Sequence, residues 1–169
     1  MLVQKLAIFV AFSLGVCFAQ TAVVKTPGPN KALEPESIGV FYYFDSTNQA
    51  LKRLPNEEYK KRVNTVIVSG TYSSFRVTDN RPSFIFKVFK DEDAGKIKLY
   101  QFIVKKGDRE YEVGKWHGGY APNNGISCNV TKTGESSYKL TPENALAPGE
   151  YTLATIDHLY TFAVSDSGR

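Results

Sequence analysis

Cysteine is scarce in this chain of 169 residues: Cys17 and Cys128 are its two, and Cys17 lies in an apolar N-terminal run. With that run removed, one thiol is left and no intramolecular disulfide can form. This excludes the cross-linked framework on which many small exported domains depend. Histidine is equally rare. His117 and His158 fall in separate loops with no third ligand at zinc spacing, and Asp157 next to His158 in sequence does not fix the geometry of an acid–base pair. Charge of one sign is nowhere concentrated. The 21 Lys and Arg and 17 Asp and Glu leave a net +4 spread along the chain, without the basic stripe that nucleic-acid binding requires. Asp91, Glu92 and Asp93 are adjacent carboxylates flanked by Lys90 and Lys96, whereas an EF-hand loop sets its oxygen ligands at alternate positions and adds a distal Glu. They read as an exposed acidic turn, and neither a metal nor a cofactor is expected. Long helical patterns are also missing. Residues 56–64 (NEEYKKRVN) alone pair Glu57 with Lys61 and Glu58 with Arg62 at i,i+4 spacing, enough for one or two helical turns.

What the chain has in quantity is aromatic residues, eleven Phe and ten Tyr, which favour sheet over helix. With 42% hydrophobic residues it can build an ordinary core in one domain. The N-terminus stands apart. After Lys5 the apolar run 6–18 (LAIFVAFSLGVCF) is too short to cross a bilayer core of about 30 Å as a helix and reads as a secretory leader. Small residues at Cys17 and Ala19 put the cut after Ala19, so no transmembrane segment is expected in the mature chain. Lipidation at Cys17 is the competing outcome, although Val16 before it suits a bacterial lipobox poorly. The expected organisation is a signal peptide over 1–19, a Pro- and Gly-bearing flexible linker over 20–37, a β domain over 38–164 and a fraying tail over 165–169. The protein is thus expected to be secreted or periplasmic.

Alternation of apolar and polar residues organises the domain. Residues 83–113 (SFIFKVFKDEDAGKIKLYQFIVKKGDREYEV) read as a three-stranded meander: within the first run Phe84, Phe86 and Val88 share a parity, within the second Ile97, Leu99 and Ile103 do, and within the third Tyr111 and Val113 do. Similar runs at 38–44, 49–54, 65–69, 72–77, 126–131, 137–140, 150–154 and 159–164 raise the expected number of strands to as many as eleven. Gly70 marks a turn or bulge, and Gly107 in Lys105-Lys106-Gly107-Asp108 supplies the positive φ of a tight hairpin. Cys128 reads as a small apolar residue on its strand. Phe84, Phe86, Leu99, Tyr151 and Phe162 are the candidate core. Frequent strands without long helices point to two packed antiparallel sheets or a barrel.

Near the C-terminus, Leu146-Ala147-Pro148-Gly149-Glu150-Tyr151 reads as a type II turn with positive φ at Gly149, launching a strand. It resembles the Leu-x-Pro-Gly-x-Tyr tyrosine corner of fibronectin type III-like sandwiches, which implies a Tyr151 hydroxyl bonded to backbone a few residues upstream and tips the fold toward an antiparallel β-sandwich of immunoglobulin or fibronectin III type. Together with IGVFYYF at 38–44, GESSYKL at 134–140 and YTFAV at 160–164, it is similar to a group of secreted bacterial β-sandwich proteins of unassigned function. That resemblance brings no catalytic residues.

For function, the loop 114–125 (GKWHGGYAPNNG) attracts attention, with Trp116, His117 and Tyr120 among turn-forming residues. They are the candidate ligand-binding residues, the alternative being that Trp116 caps one end of the core. No catalytic constellation is apparent. The expectation is a non-catalytic binding or interaction module for a protein, peptide or glycan, or alternatively a structural, surface-anchored envelope protein.

Overall fold

The computed structural model describes residues 34–90, 92–113, 125–155 and 157–166. The leader and residues 20–33 of the linker lie outside the described residues. In chain order the strands are β1 (Phe41–Asp45), β2 (Ala50–Arg53), β3 (Asn56–Glu57), β4 (Lys60–Arg62), β5 (Thr65–Ser69), β6 (Arg76–Val77) and β7 (Phe84–Lys87). A single 3-10 turn at Ala94–Lys96 follows, and then β8 (Lys98–Gln101), β9 (Ile103–Lys105) and β10 (Asp108–Glu112). The last four are β11 (Cys128–Lys132), β12 (Ser137–Pro142), β13 (Gly149–Ala154) and β14 (Leu159–Val164). Every run the pattern assigned to a strand contains one, and the described domain is all-β.

The strands form three sheets, in the orders β11-β12-β7-β1-β2, β3-β14-β13-β8 and β4-β5-β10-β9. All pairings within them are antiparallel, and β6 adds a parallel pair along β14. The first two sheets face each other across the larger core, an arrangement consistent with a β-sandwich. Phe41, Phe84, Phe86 and Leu140 of the first sheet meet Leu99, Tyr151, Leu153, Tyr160 and Phe162 of the second. Phe84 packs against Phe162 with ring centroids 4.8 Å apart, and Phe41 touches Phe86 at the same distance. The five residues chosen as core are each at most 1% exposed.

The second sheet is a middle layer. Its residues of opposite parity, Ala154 and Leu159, join Val66, Val68, Phe102 and Tyr111 in a smaller core beneath the third sheet. Consequently β13 and β14 are buried or nearly so at every position, on both faces. Three sheets rather than two follow from two excursions of the chain, β4–β5 and β9–β10, which pair with each other.

Several local expectations change accordingly. The meander of 83–113 is not one: β7, β8 and β9–β10 belong to three different sheets. The 3-10 turn carries the chain from the first sheet to the second, with Asp93 accepting from the Gly95 N–H at 2.9 Å. The run 97–104 then breaks at Phe102, whose N–H goes to the Glu150 carbonyl at 2.9 Å. Phe102 turns inward at the break, and Ile103, which parity assigned to the core, is 68% exposed. Residues 56–64 form β3 and β4 in place of helical turns, because β3 pairs with β14, β4 pairs with β5, and Glu57 reaches Arg109. Local charge pairs worth a few tenths of a kcal/mol do not compete with ladder bonds and a buried ion pair.

Turns behave as their residues require. Lys106 and Gly107 both have positive φ (52° and 89°), the type I′ geometry that suits a two-residue hairpin. Gly70, at φ 87°, ends β5 where the chain leaves the third sheet. Gly149 differs from expectation. It is the first residue of β13, outside the left-handed region, and its need is space: a Cβ there would sit 3.2 Å from the Gln101 amide nitrogen and 3.6 Å from the Tyr151 ring. The Tyr151 hydroxyl donates to the Ala147 carbonyl at 2.7 Å, and the Tyr160 hydroxyl to that of Gly39 at 2.7 Å. In the β1–β2 turn, Lys52 and then Asn48 hold the Asp45 carboxyl well below the usual carboxylate range.

Between the middle and third sheets lies a polar network. Arg109, 1% exposed, points from β10 toward β3 and β13. Its guanidinium donates to Glu57 (Nη1 to Oε1, 3.2 Å; Nη2 to Oε2, 2.5 Å), to the Gly70 carbonyl (3.1 Å) and to the Ser69 carbonyl (3.3 Å). Glu150 lies 4.0 Å away and accepts from the Ser73 N–H at 2.6 Å, while Thr161 donates to Glu57 and shares a 2.9 Å hydrogen bond with Ser73. Arg109→Ala would leave two carboxylates without their buried partner and should cost about 3–5 kcal/mol in urea unfolding. Tyr151→Phe removes one hydrogen bond to an accessible loop carbonyl and should cost only about 0.5–1.5 kcal/mol by the same measurement. Equal losses for the two variants would contradict this account.

Candidate functional site

The smaller core does not fill the space between the middle and third sheets. At one end it opens into a cleft of about 670 Å³. Strand parity builds it. Because Leu99 points into the larger core, its neighbours Lys98 and Tyr100 point the other way, toward the third sheet. On β10, Tyr111 shares the inward face with Arg109, and its cross-strand partner is Val66. Tyr100 and Tyr111 stack with centroids 4.4 Å apart and planes at 23°, and Phe102 meets Tyr111 edge-on at 5.6 Å. Tyr59, in the link between β3 and β4, completes a group of three phenols lining the cleft. Val66, Ala154 and Leu159 supply its apolar floor.

The rim is cationic. Lys61 and Arg62 come from β4, Lys96 from the 3-10 turn and Lys98 from β8, and none is in an ion pair among the described residues. Lys61 places its ammonium 5.4 Å from the centre of the Tyr59 ring. Among the described residues, no Asp, Glu or His lines this cleft. Burial raises the Tyr111 phenol well above the ordinary tyrosine value, and the neighbouring Tyr100 and Tyr59 raise it further; burial also raises Tyr100. Tyr100 and Tyr111 therefore keep their protons across the neutral range and serve as hydrogen-bond donors. Among the described residues none of the three hydroxyls has a hydrogen-bond partner.

Trp116, His117 and Tyr120, the residues singled out from sequence, lie outside the described residues, as does Asp91. His158 is exposed, with Nδ1 3.2 Å from the Asn56 side-chain nitrogen. It lines a second cleft of about 770 Å³ that includes Arg53, Glu92, Asp93 and Asp157. No three His, Cys, Asp or Glu side chains gather as a metal site would need among the described residues. No described helix is long and apolar enough to cross a membrane. Compared with protein-family models, with curated proteins and with solved structures, the chain matches none.

The cleft residues escaped the sequence reading for identifiable reasons. Lys61 and Arg62 fall in a helical pattern, and Tyr100 has the parity opposite to that of Leu99, the face that alternation does not assign to the core. The spacing Lys98-x-Tyr100 was the available signal, a cation and an aromatic on one face of a strand whose other face is core.

Cys128 is half-buried on β11, its Sγ 3.4 Å from the Ile126 carbonyl, and burial with Glu143 nearby pushes the thiol up to about 11. At pH 8 its thiolate is scarce, and even with the greater intrinsic nucleophilicity of a basic thiolate it should react with a disulfide reagent about twentyfold more slowly than a free thiol near 8.5. Measured in a Cys17→Ser background, labelling of the folded protein should be slow and become rapid in denaturant. Rapid labelling of the folded form would show an activated thiol instead.

Proposed function

We propose that this chain is a non-catalytic binding module, exported by a bacterium to its envelope or beyond, that holds its ligand in the tyrosine-lined cleft between the middle and third sheets. The cleft carries this reading. Its volume of about 670 Å³ falls within the range typical of ligand sites, roughly 300–1,000 Å³. It has an apolar floor, three hydroxyls without a hydrogen-bond partner among the described residues and four cations at the rim. Binding rather than catalysis is favoured because these groups donate hydrogen bonds and hold positive charge, and none of the described residues lining the cleft is a carboxylate or imidazole that would accept a proton near neutral pH. The N-terminal apolar run supports export.

The sandwich is read as immunoglobulin or fibronectin III type. The order β1-β7-β12-β11 facing β8-β13-β14 corresponds to the A-B-E-D and C-F-G sheets of that architecture, with Tyr151 near the start of the sixth strand bonded four residues back. On this reading β2–β5 and β9–β10 are insertions, and the cleft belongs to what they add.

The test is an amide-shift titration of the full chain with short oligosaccharides, peptides and organic acids. Shifts should gather at Tyr59, Lys98, Tyr100 and Tyr111, and Tyr100→Ala should abolish them while the rest of the spectrum stays that of a folded protein. Shifts gathered around His158, or none in the cleft for any compound, would remove this site.

A further inference from the structure

Resting on the cleft as the ligand site, a narrower inference concerns what it binds. We propose that the ligand is an acidic oligosaccharide, with a sugar ring against Tyr59 and Tyr100 and its carboxylate or sulfate among Arg62, Lys96 and Lys98.

Three features of the cleft converge on that chemistry. The first is the pairing of aromatic faces with hydroxyls. Tyr59 and Tyr100 are half-buried, so each presents ring surface as well as a phenol group to the cleft. A sugar ring has an apolar C–H face to lie on such a surface and hydroxyls at its edge to accept from the phenols. An acyl chain would also suit the floor of Val66, Ala154 and Leu159. It would, however, cover the hydroxyls without giving them partners, and a desolvated unpaired hydroxyl is costly.

Charge is the second feature. Elsewhere, the buried Arg109 is matched to Glu57 and the half-buried Lys87 to Glu34, while the exposed Arg76 and Lys52 reach Glu150 and Asp45. The four cations at the cleft have no such match, and no acidic residue lines it, among the described residues. A neutral sugar would leave them unused; an acidic one supplies the complement. The third feature is the protonation of the phenols. Tyr100 and Tyr111 stay neutral, so they add no negative charge to oppose an anion.

The experiment is calorimetric titration of the full chain at low and physiological salt. Oligogalacturonate, chondroitin sulfate and heparin tetrasaccharides would be compared with cellotetraose and maltotetraose. At least one acidic tetrasaccharide should bind at least about tenfold more tightly than the neutral ones, and its affinity should fall as salt is raised. The double variant Arg62→Gln, Lys96→Gln alters two exposed rim positions and should remove the acidic preference while sparing the fold. Tyr100→Phe, which keeps the ring, should weaken acidic and neutral sugars alike. Equal binding of acidic and neutral tetrasaccharides, lost in Tyr100→Ala, would overturn the acidic assignment and leave the cleft as a sugar site. Binding of an acidic peptide or of phosphatidylglycerol vesicles with no sugar bound would overturn the sugar assignment and keep the cleft. No binding by any of them would overturn both.

Discussion

The burial of Arg109 is the constraint around which the third sheet is arranged. The middle sheet turns one apolar face, Leu99, Tyr151, Leu153, Tyr160 and Phe162, to the larger core. Its other face carries Glu150, Thr152 and Thr161, all buried. In a two-layer sandwich such a face would meet water. Covering it requires partners for its polar groups: Ser73 donates to Glu150 and shares a hydrogen bond with Thr161, Thr161 donates to Glu57, and the guanidinium of Arg109 binds Glu57 and approaches Glu150, with its remaining donors on the carbonyls of Gly70 and Ser69. The planar fork of arginine can meet a carboxylate and two carbonyls at once, which a lysine ammonium cannot do in the same geometry. Desolvation offsets much of the gain from such a pair, so what the network contributes most clearly is a fixed position for the third sheet.

That solution has a spatial consequence. The network occupies one part of the interface between the middle and third sheets, and the six buried side chains of the smaller core occupy another. Toward the end where β4 and the 3-10 turn stand, the smaller core narrows to a floor of Val66, Ala154 and Leu159 with Tyr59 and Tyr100 packed against it. The cleft is the remainder, rimmed by Lys61, Arg62, Lys96 and Lys98, which make no ion pair among the described residues. Tyr111 links the two regions, because its ring belongs to the smaller core while its hydroxyl end lies with those of Tyr59 and Tyr100.

Much of the fold was legible from parity alone. Phe84, Phe86 and Val88 alternate and are buried, and the hairpin at Lys106 and Gly107 has the backbone its residues called for. Parity fails where the chain changes sheet. Nothing in the run 97–104 announces that Phe102 will bond to the Glu150 backbone and reverse the faces after it, since both partners are fixed only by tertiary packing. For the same reason Glu57 looked like half of a local helical pair: its actual partner is 52 residues away in sequence. The cleft was still harder to see. Its aromatic residues come from Tyr59, Tyr100 and Tyr111, on three separate segments, and no local pattern records that β4 and β8 will face each other across a gap.

Stability and the proposed binding therefore draw on different residues. The larger core and the Arg109 network use side chains that are almost wholly buried and that tolerate little change in volume or charge. At the cleft rim, Lys61, Arg62 and Lys96 are exposed and make no ion pair among the described residues, so replacing them alters the charge a ligand meets without opening a cavity beneath. Tyr100 lies between these cases, half-exposed to the cleft and stacked on Tyr111. On the proposed reading, ligand preference can therefore shift by substitution at the exposed rim while the three layers beneath keep their register.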